Sequence, residues 1–192
     1  MIAKGLDFPN VTLVGVISAD IGLNMPDFRA SEKTFQILTQ VAGRAGRGEK
    51  EGEVFIQTYN PEHYAIVSAR EQNFEKFAEE ELILRKQLYY SPFTRMARII
   101  FRFQNLKYLQ NEMRKNKILI EKIGLRLSKE NIIIMGPNPA PFAKLQNYYR
   151  YHIIIKSKTI SGIPKAINMI MNHIKISKRI KVLKDIDPSN LF

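Results

Sequence analysis

The stretch QVAGRAGRGEKEGEVFIQTYN, Gln40 to Asn60, sets two arginines three positions apart among glycines and then passes into a run that reads as a strand. Upstream, Ser31 opens a helical pattern with Phe35, Ile37, Leu38, Val41 and Ala42 on its apolar face, ended by Gly43, Gly46 and Gly48. Downstream, GEVFIQTY at 52–59 is expected to be a strand. Before the helix, ADIGLNMPDFRA at 19–30 reads as a loop broken by Gly22 and Pro26. VTLVGVI at 11–17 is a continuous β-branched run, expected for a strand buried on both faces. Two apolar strands separated by a helix imply α/β architecture and part of a parallel sheet, with fewer strands than a complete doubly wound sheet needs. Asn60-Pro61 then opens one long helix over 62–88, acidic early and basic late as its dipole favours. Pro92 marks a boundary, dividing the chain into 1–90 and 91–192.

The second part reads as β-α-β-β-α-β. MARIIFRFQ at 96–104 alternates like a strand with one wet face, and 106–128 is a helix spaced by Leu109, Met113, Ile120, Ile123 and Leu127. NIIIMG at 131–136 and YHIIIKS at 151–157 are strands, separated by the proline-punctuated loop PNPAPFAKLQNYYR. A helix at 162–174, with Pro164 in its first turn, and a strand at 179–187 complete the order. That order is the split βαβ of ferredoxin-like α+β domains.

Charge divides at the same boundary. Residues 1–90 hold 10 Lys+Arg and 13 Asp+Glu, whereas 91–192 hold 20 and 5, a net of +15 within an overall +12. Such a half favours polyanionic partners, although a lysine-rich surface composition gives the same sign. The 192 residues include no cysteine, which excludes disulfides and thiolate metal sites and fits a reducing cytoplasm. No apolar run reaches membrane-span length, and MIAKGLDFPN is not built like a signal peptide. The chain enters its first strand so early that it is expected to open in mid-domain.

Arg44 and Arg47 at a glycine-broken helix end fit two roles. They are solvated residues beside a helix cap, or a pair of planar forks facing phosphate oxygens, with small neighbours letting another surface approach. Asp7, after Gly5 in the Gly-x-Asp loop, either forms a turn or accepts hydrogen bonds from an arginine or a ribose. Lys144, Tyr148, Tyr149, Arg150 and Tyr151 mix cations with rings, suited to phosphates and unpaired bases or to a tyrosine-packed core with solvated cations. Arg95, Arg98 and Arg102 show strand-plus-loop spacing, with Arg98 and Arg102 on one face. KISKRIKVLK at 175–184 is a second basic edge, or an edge strand guarded by lysines. His63, His152 and His173 show no metal-ligand spacing.

KGLDFPNVTLV resembles motif V of superfamily 2 helicases, and QVAGRAGRG resembles motif VI. GEVFIQTYNPEH (52–63), GPNPAP (136–141), RYH (150–152) and DIDP (185–188) extend the likeness, and the whole is similar to the C-terminal portion of replication-restart helicases of the primosomal protein N′ family. The resemblance implies part of the second RecA-like helicase lobe over 1–90 and an S10-like, ferredoxin-like domain over 91–192. It implies an ATP-dependent 3′→5′ DNA helicase that restarts stalled forks and initiates primosome assembly. Catalytic roles fall to Arg44 and Arg47, and nucleotide-linked roles to Gln40, Gly5 and Asp7. Leu6 stands where that family often has histidine.

DNA contacts are expected from Lys4, Arg98, Arg102, Lys144, Tyr149 and Arg150. The implied cofactors are ATP and Mg²⁺, bound mainly by a first lobe, while the family's zinc ligands have no counterpart here. No G-x-x-x-x-G-K-[ST] phosphate loop occurs in the sequence, so the chain alone is expected not to hydrolyse ATP. Expected partners are forked and single-stranded DNA, single-strand-binding protein and helicase-loading proteins, in the cytoplasm at the nucleoid, with no membrane. The alternative is a stand-alone nucleic-acid-binding module left from a truncated gene.

Overall fold

The computed structural model describes residues 11–43 and 52–191. Two compact units part between Leu84 and Arg85, ahead of the 90/91 boundary read from Pro92.

In the first unit, β1 (Leu13–Val16) lies parallel to β2 (Glu53–Ile56), with Val14 opposite Val54 and Val16 opposite Ile56. These two strands make up the whole sheet among the described residues. Neither is therefore buried on both faces as the apolar run suggested, and Leu13 and Phe55 stay 61% and 62% exposed. The stretch expected to be all loop contains a short helix, α1 (Asp20–Leu23). Asp20 is anchored from outside, its Oδ1 accepting from Thr58 Oγ1 at 2.9 Å and from the Tyr59 amide at 3.2 Å. Gly22 lets α1 lie close to the next helix, because a Cβ there would meet Thr34 Oγ1 at 2.5 Å.

That next helix is α2 (Ala30–Ala42), which buries Ala30, Thr34, Phe35 and Leu38 and leaves Ile37 exposed. Where one long helix was expected there are two, α3 (Tyr64–Arg70) and α4 (Phe74–Gln87). Gln72 takes a left-handed φ of 50°, and Asn73 Oδ1 then accepts from the Lys76 amide at 2.9 Å, starting the new helix. The break lets Ala65, Ile66 and Ala69 share a core with Phe77, whose ring stacks on Phe35 at 4.3 Å.

The second unit has the order read from its pattern: β3 (Arg95–Phe103), α5 (Leu106–Ser128), β4 (Ile132–Leu145), β5 (Tyr148–Ser157), α6 (Gly162–His173), β6 (Lys181–Ile186). Its sheet runs β4-β5-β3-β6 with every neighbour antiparallel, the split βαβ arrangement. The Asn105 side chain accepts from the Tyr108 amide and starts α5. Leu109, Met113, Ile120, Ile123 and Leu127 of α5, with Ile163, Ala166, Ile167 and Ile170 of α6, pack on Ala97, Ile99, Phe101, Ile153 and Ile155 of the sheet. Each Leu, Ile, Met or Phe buried there contributes about 1.5–3 kcal/mol before conformational entropy is counted.

Two expectations fail here. The segment 137–150 is a hairpin, with β4 running to Leu145 and β5 starting at Tyr148. Gln146 and Asn147 turn it with φ of 47° and 64°, as a tight two-residue hairpin loop requires. The prolines argued against a strand, but β4 is the sheet edge, where a missing N–H costs little. Nor is β3 wet along one face, since Met96 through Phe101 are all buried and exposure returns only at its ends, Arg95, Arg102 and Phe103.

Candidate nucleic-acid interface

Strand alternation assigns the functional side chains to a side. Ala97, Ile99 and Phe101 point into the helix-covered core, so Arg98, Ile100 and Arg102 point from the opposite face of β3. Register adds neighbours to that face: Arg102 stands opposite Arg150 of β5 and Lys181 of β6, Ile100 opposite His152, and Arg98 opposite Asp185. The result is a sheet face carrying Arg98, Arg102, Arg150, His152, Lys156 and Lys181 against one carboxylate, Asp185.

The deeper cations are committed within the fold. Arg98 is 6% exposed and donates from Nη2 to Asp185 Oδ2 at 3.0 Å. Arg150, 8% exposed, donates from Nε and Nη2 to the Phe142 carbonyl at 3.0 and 2.8 Å, tying the arm of β4 to the sheet. Burial first, and then the fields of Arg98 and Arg102, lower the Arg150 pKa. Burial, with Arg98 and Arg150 nearby, pushes His152 down from 6.5 to about 4, so its ring is neutral near pH 7. Lys156 donates to the Leu88 carbonyl at 2.8 Å and lies 3.6 Å from the Tyr90 ring centroid, and burial lowers it to about 8.

Nearer solvent the chemistry changes. The Arg102 guanidinium lies 5.3 Å from the Tyr148 ring centroid, and the Lys181 ammonium 5.2 Å from the same ring. Lys181 Nζ also donates to the Tyr148 hydroxyl at 3.4 Å. Two cations thus flank one aromatic ring at the wet margin of the face. Forks and ammoniums neutralise phosphates, and a ring accepts an unpaired base. Lys144 and Tyr149 make a separate pair at 5.3 Å, with the Tyr149 ring packed against the helix-side core.

The structure therefore gathers Arg98, Arg102 and Arg150 on one face and sets Lys144 and Tyr149 apart. Sequence reasoning placed Tyr148 and Lys181 in two unrelated segments. Their meeting depends on β6 lying beside β3, a signal available only from the split βαβ order. Gln40 lies exposed on the last turn of α2, while Lys4, Gly5, Asp7, Arg44 and Arg47 fall outside the described residues. The sequence has no phosphate loop, Gln40 offers one exposed amide, and no group of three or more His, Asp or Glu suited to a metal ion occurs among the described residues. No described helix is long and apolar enough to cross a membrane.

Comparison with known proteins agrees with the motifs. The family model for the primosomal protein N C-terminal domain matches residues 86–189. Replication restart protein PriA of Bacillus subtilis is 41% identical across 98% of this chain, which covers 23% of that protein. PriA proteins of Borreliella burgdorferi and Chlamydia muridarum are 39% and 38% identical across all of it, which covers 28% and 25% of theirs. The chain spans about a quarter of the length of these relatives. It belongs to the primosomal protein N (PriA) family and carries that family's C-terminal domain.

Proposed function

We propose that these residues are the C-terminal part of an ATP-dependent DNA helicase that moves 3′→5′ on single strands, restarts stalled replication forks and initiates primosome assembly. The basic sheet face of 85–192 holds forked or single-stranded DNA, and the same unit contacts single-strand-binding and helicase-loading proteins, in the cytoplasm at the nucleoid. Arg44 and Arg47, with Gln40, serve ATP and Mg²⁺ held chiefly outside these residues. Gly5 and Asp7 link nucleotide state to DNA, and Lys4 contacts the strand. The chain alone does not hydrolyse ATP. The name shared by the relatives supports the restart role.

The observation that carries DNA binding is the Arg102–Tyr148–Lys181 cluster, two cations on one partly exposed ring in a half of net charge +15. Its test is the anisotropy of a fluorescein-labelled single strand titrated with the whole chain at several salt concentrations. Binding with log K falling linearly against log salt, by about 0.7 per phosphate neutralised, is the expected result. Absence of binding at low salt, or affinity indifferent to salt, would overturn it.

A stand-alone nucleic-acid-binding module is the second reading. It is favoured by a core, Ala97 to Ile180, that is closed within the second unit. An antibody against 91–192 separates the two in source-cell lysate. A band several-fold heavier than 22.2 kDa supports the helicase, and a band at 22.2 kDa alone supports the module.

A further inference from the structure

The helix side of the second unit carries a feature that the open sheet face does not use. A cleft of about 340 Å³ lies between the first half of α5 and the bulge of β4, lined by Gln110, Asn111, Arg114 and Lys117 on one side and Pro137 and Tyr151 on the other. Met113 adds an apolar floor. Gln110, Met113, Arg114 and Lys117 recur at i, i+3, i+4 and i+7, so a single stripe of α5 faces the opening. The opposite wall is shaped at the ladder irregularity between Met135 and Asn138. Gly136 there has a φ of 107°, and a Cβ on it would come within 2.6 Å of the His152 carbonyl oxygen. Tyr151 packs on the same core as Ile153 and Ile155. The cleft is therefore on the other side of the sheet from Arg102 and Lys181.

Its chemistry is mixed in an informative way. Arg114 is exposed and has no ion-pair or hydrogen-bond partner among the described residues. Lys117 has only Glu121, at 3.9 Å across solvent, a pair of little strength. Gln110 and Asn111 offer amides that both donate and accept, the pairing capacity a base edge needs. Tyr151 offers a half-buried ring. The volume falls in the range of small-ligand sites. An acidic peptide without aromatic residues would reach the same two cations but bring no ring to stack on Tyr151.

We infer that this cleft is a second nucleic-acid subsite taking one unpaired nucleotide, its phosphate on Arg114 and Lys117 and its base on Tyr151, with its edge toward Gln110 and Asn111. It rests on the proposal that this unit binds DNA, but it shares no residue with the open face.

The test is a ¹⁵N-resolved NMR titration of the whole chain with thymidine 5′-monophosphate, inorganic phosphate, and a short acidic peptide ending in a free carboxylate. The expected result is saturable shifts at Gln110 to Lys117 and at Tyr151 with the nucleotide, and weaker or no shifts there with phosphate or peptide. Arg114→Ala with Lys117→Ala, both exposed, should keep the dispersed spectrum and weaken that binding about tenfold or more. The inference is overturned if those amides stay still, if phosphate or peptide saturates them as readily as the nucleotide, or if the double variant binds unchanged. Shifts at Arg102, Tyr148 and Lys181 report the open face separately, so failure of the cleft and failure of the DNA-binding proposal are distinguishable.

Discussion

The two units differ in how they cover a sheet. In 85–192, α5 and α6 close over four antiparallel strands, and Ile99, Phe101, Ile153 and Ile155 reach full burial. In the described part of 1–84, a parallel pair of four-residue strands keeps Leu13 and Phe55 more than 60% exposed, although parallel strands are ordinarily covered on both faces. The core there rests on helices instead, through the Phe35–Phe77 stack. The difference concerns charge as well. A closed antiparallel sheet has a second face to spare, and the second unit fills it with arginines, one buried histidine and a cation-flanked tyrosine.

Four substitutions test that contrast. Phe101→Ala, on the central strand, should have the largest effect, a loss of about 3–5 kcal/mol in urea unfolding followed by circular dichroism. Asp185→Asn removes the carboxylate facing buried Arg98 and should cost about 1–2 kcal/mol in the same assay, less than a fully buried pair because Asp185 is 41% exposed. His152 sets a pH dependence. Its folded pKa of about 4 lies below the ordinary 6.5, so the unfolded chain binds a proton that the folded ring refuses. That contribution is complete above pH 6.5 and is lost as pH falls toward 4. The stability difference between the native chain and His152→Gln should shrink over that window, and a constant difference would show that the ring charges freely. Phe55→Ala on the open β2 should be smallest, within about 0.5 kcal/mol. A loss as large as that of Phe101→Ala would erase the distinction between the units.

Much of the second unit was legible because its periods are clean. Leu109 through Leu127 mark a helix face, and six elements in order suffice to name the topology. The hairpin at 137–150 was not, since an edge strand tolerates the prolines that exclude a central one. The break at Gln72 was hidden in a run of good helix formers, with Asn73 as its only sign. Arg98 and Arg150 were legible as cations of the basic half, but not as groups already committed to Asp185 and the Phe142 carbonyl. Burial depends on which strand is central, and period-2 alternation alone does not say so. Tyr148 with Lys181 required the register between two strands far apart in sequence.

The most direct measurement compares the native chain with the Arg102→Ala, Lys181→Ala double variant in single-strand binding across a salt series. The expected result is weaker binding at every salt, with a slope of log K against log salt shallower by about 1.4, the loss of two phosphate contacts. An unchanged slope and affinity, with the variant folded, would mean that the Tyr148 cluster is a surface feature and that DNA, if bound, lies elsewhere.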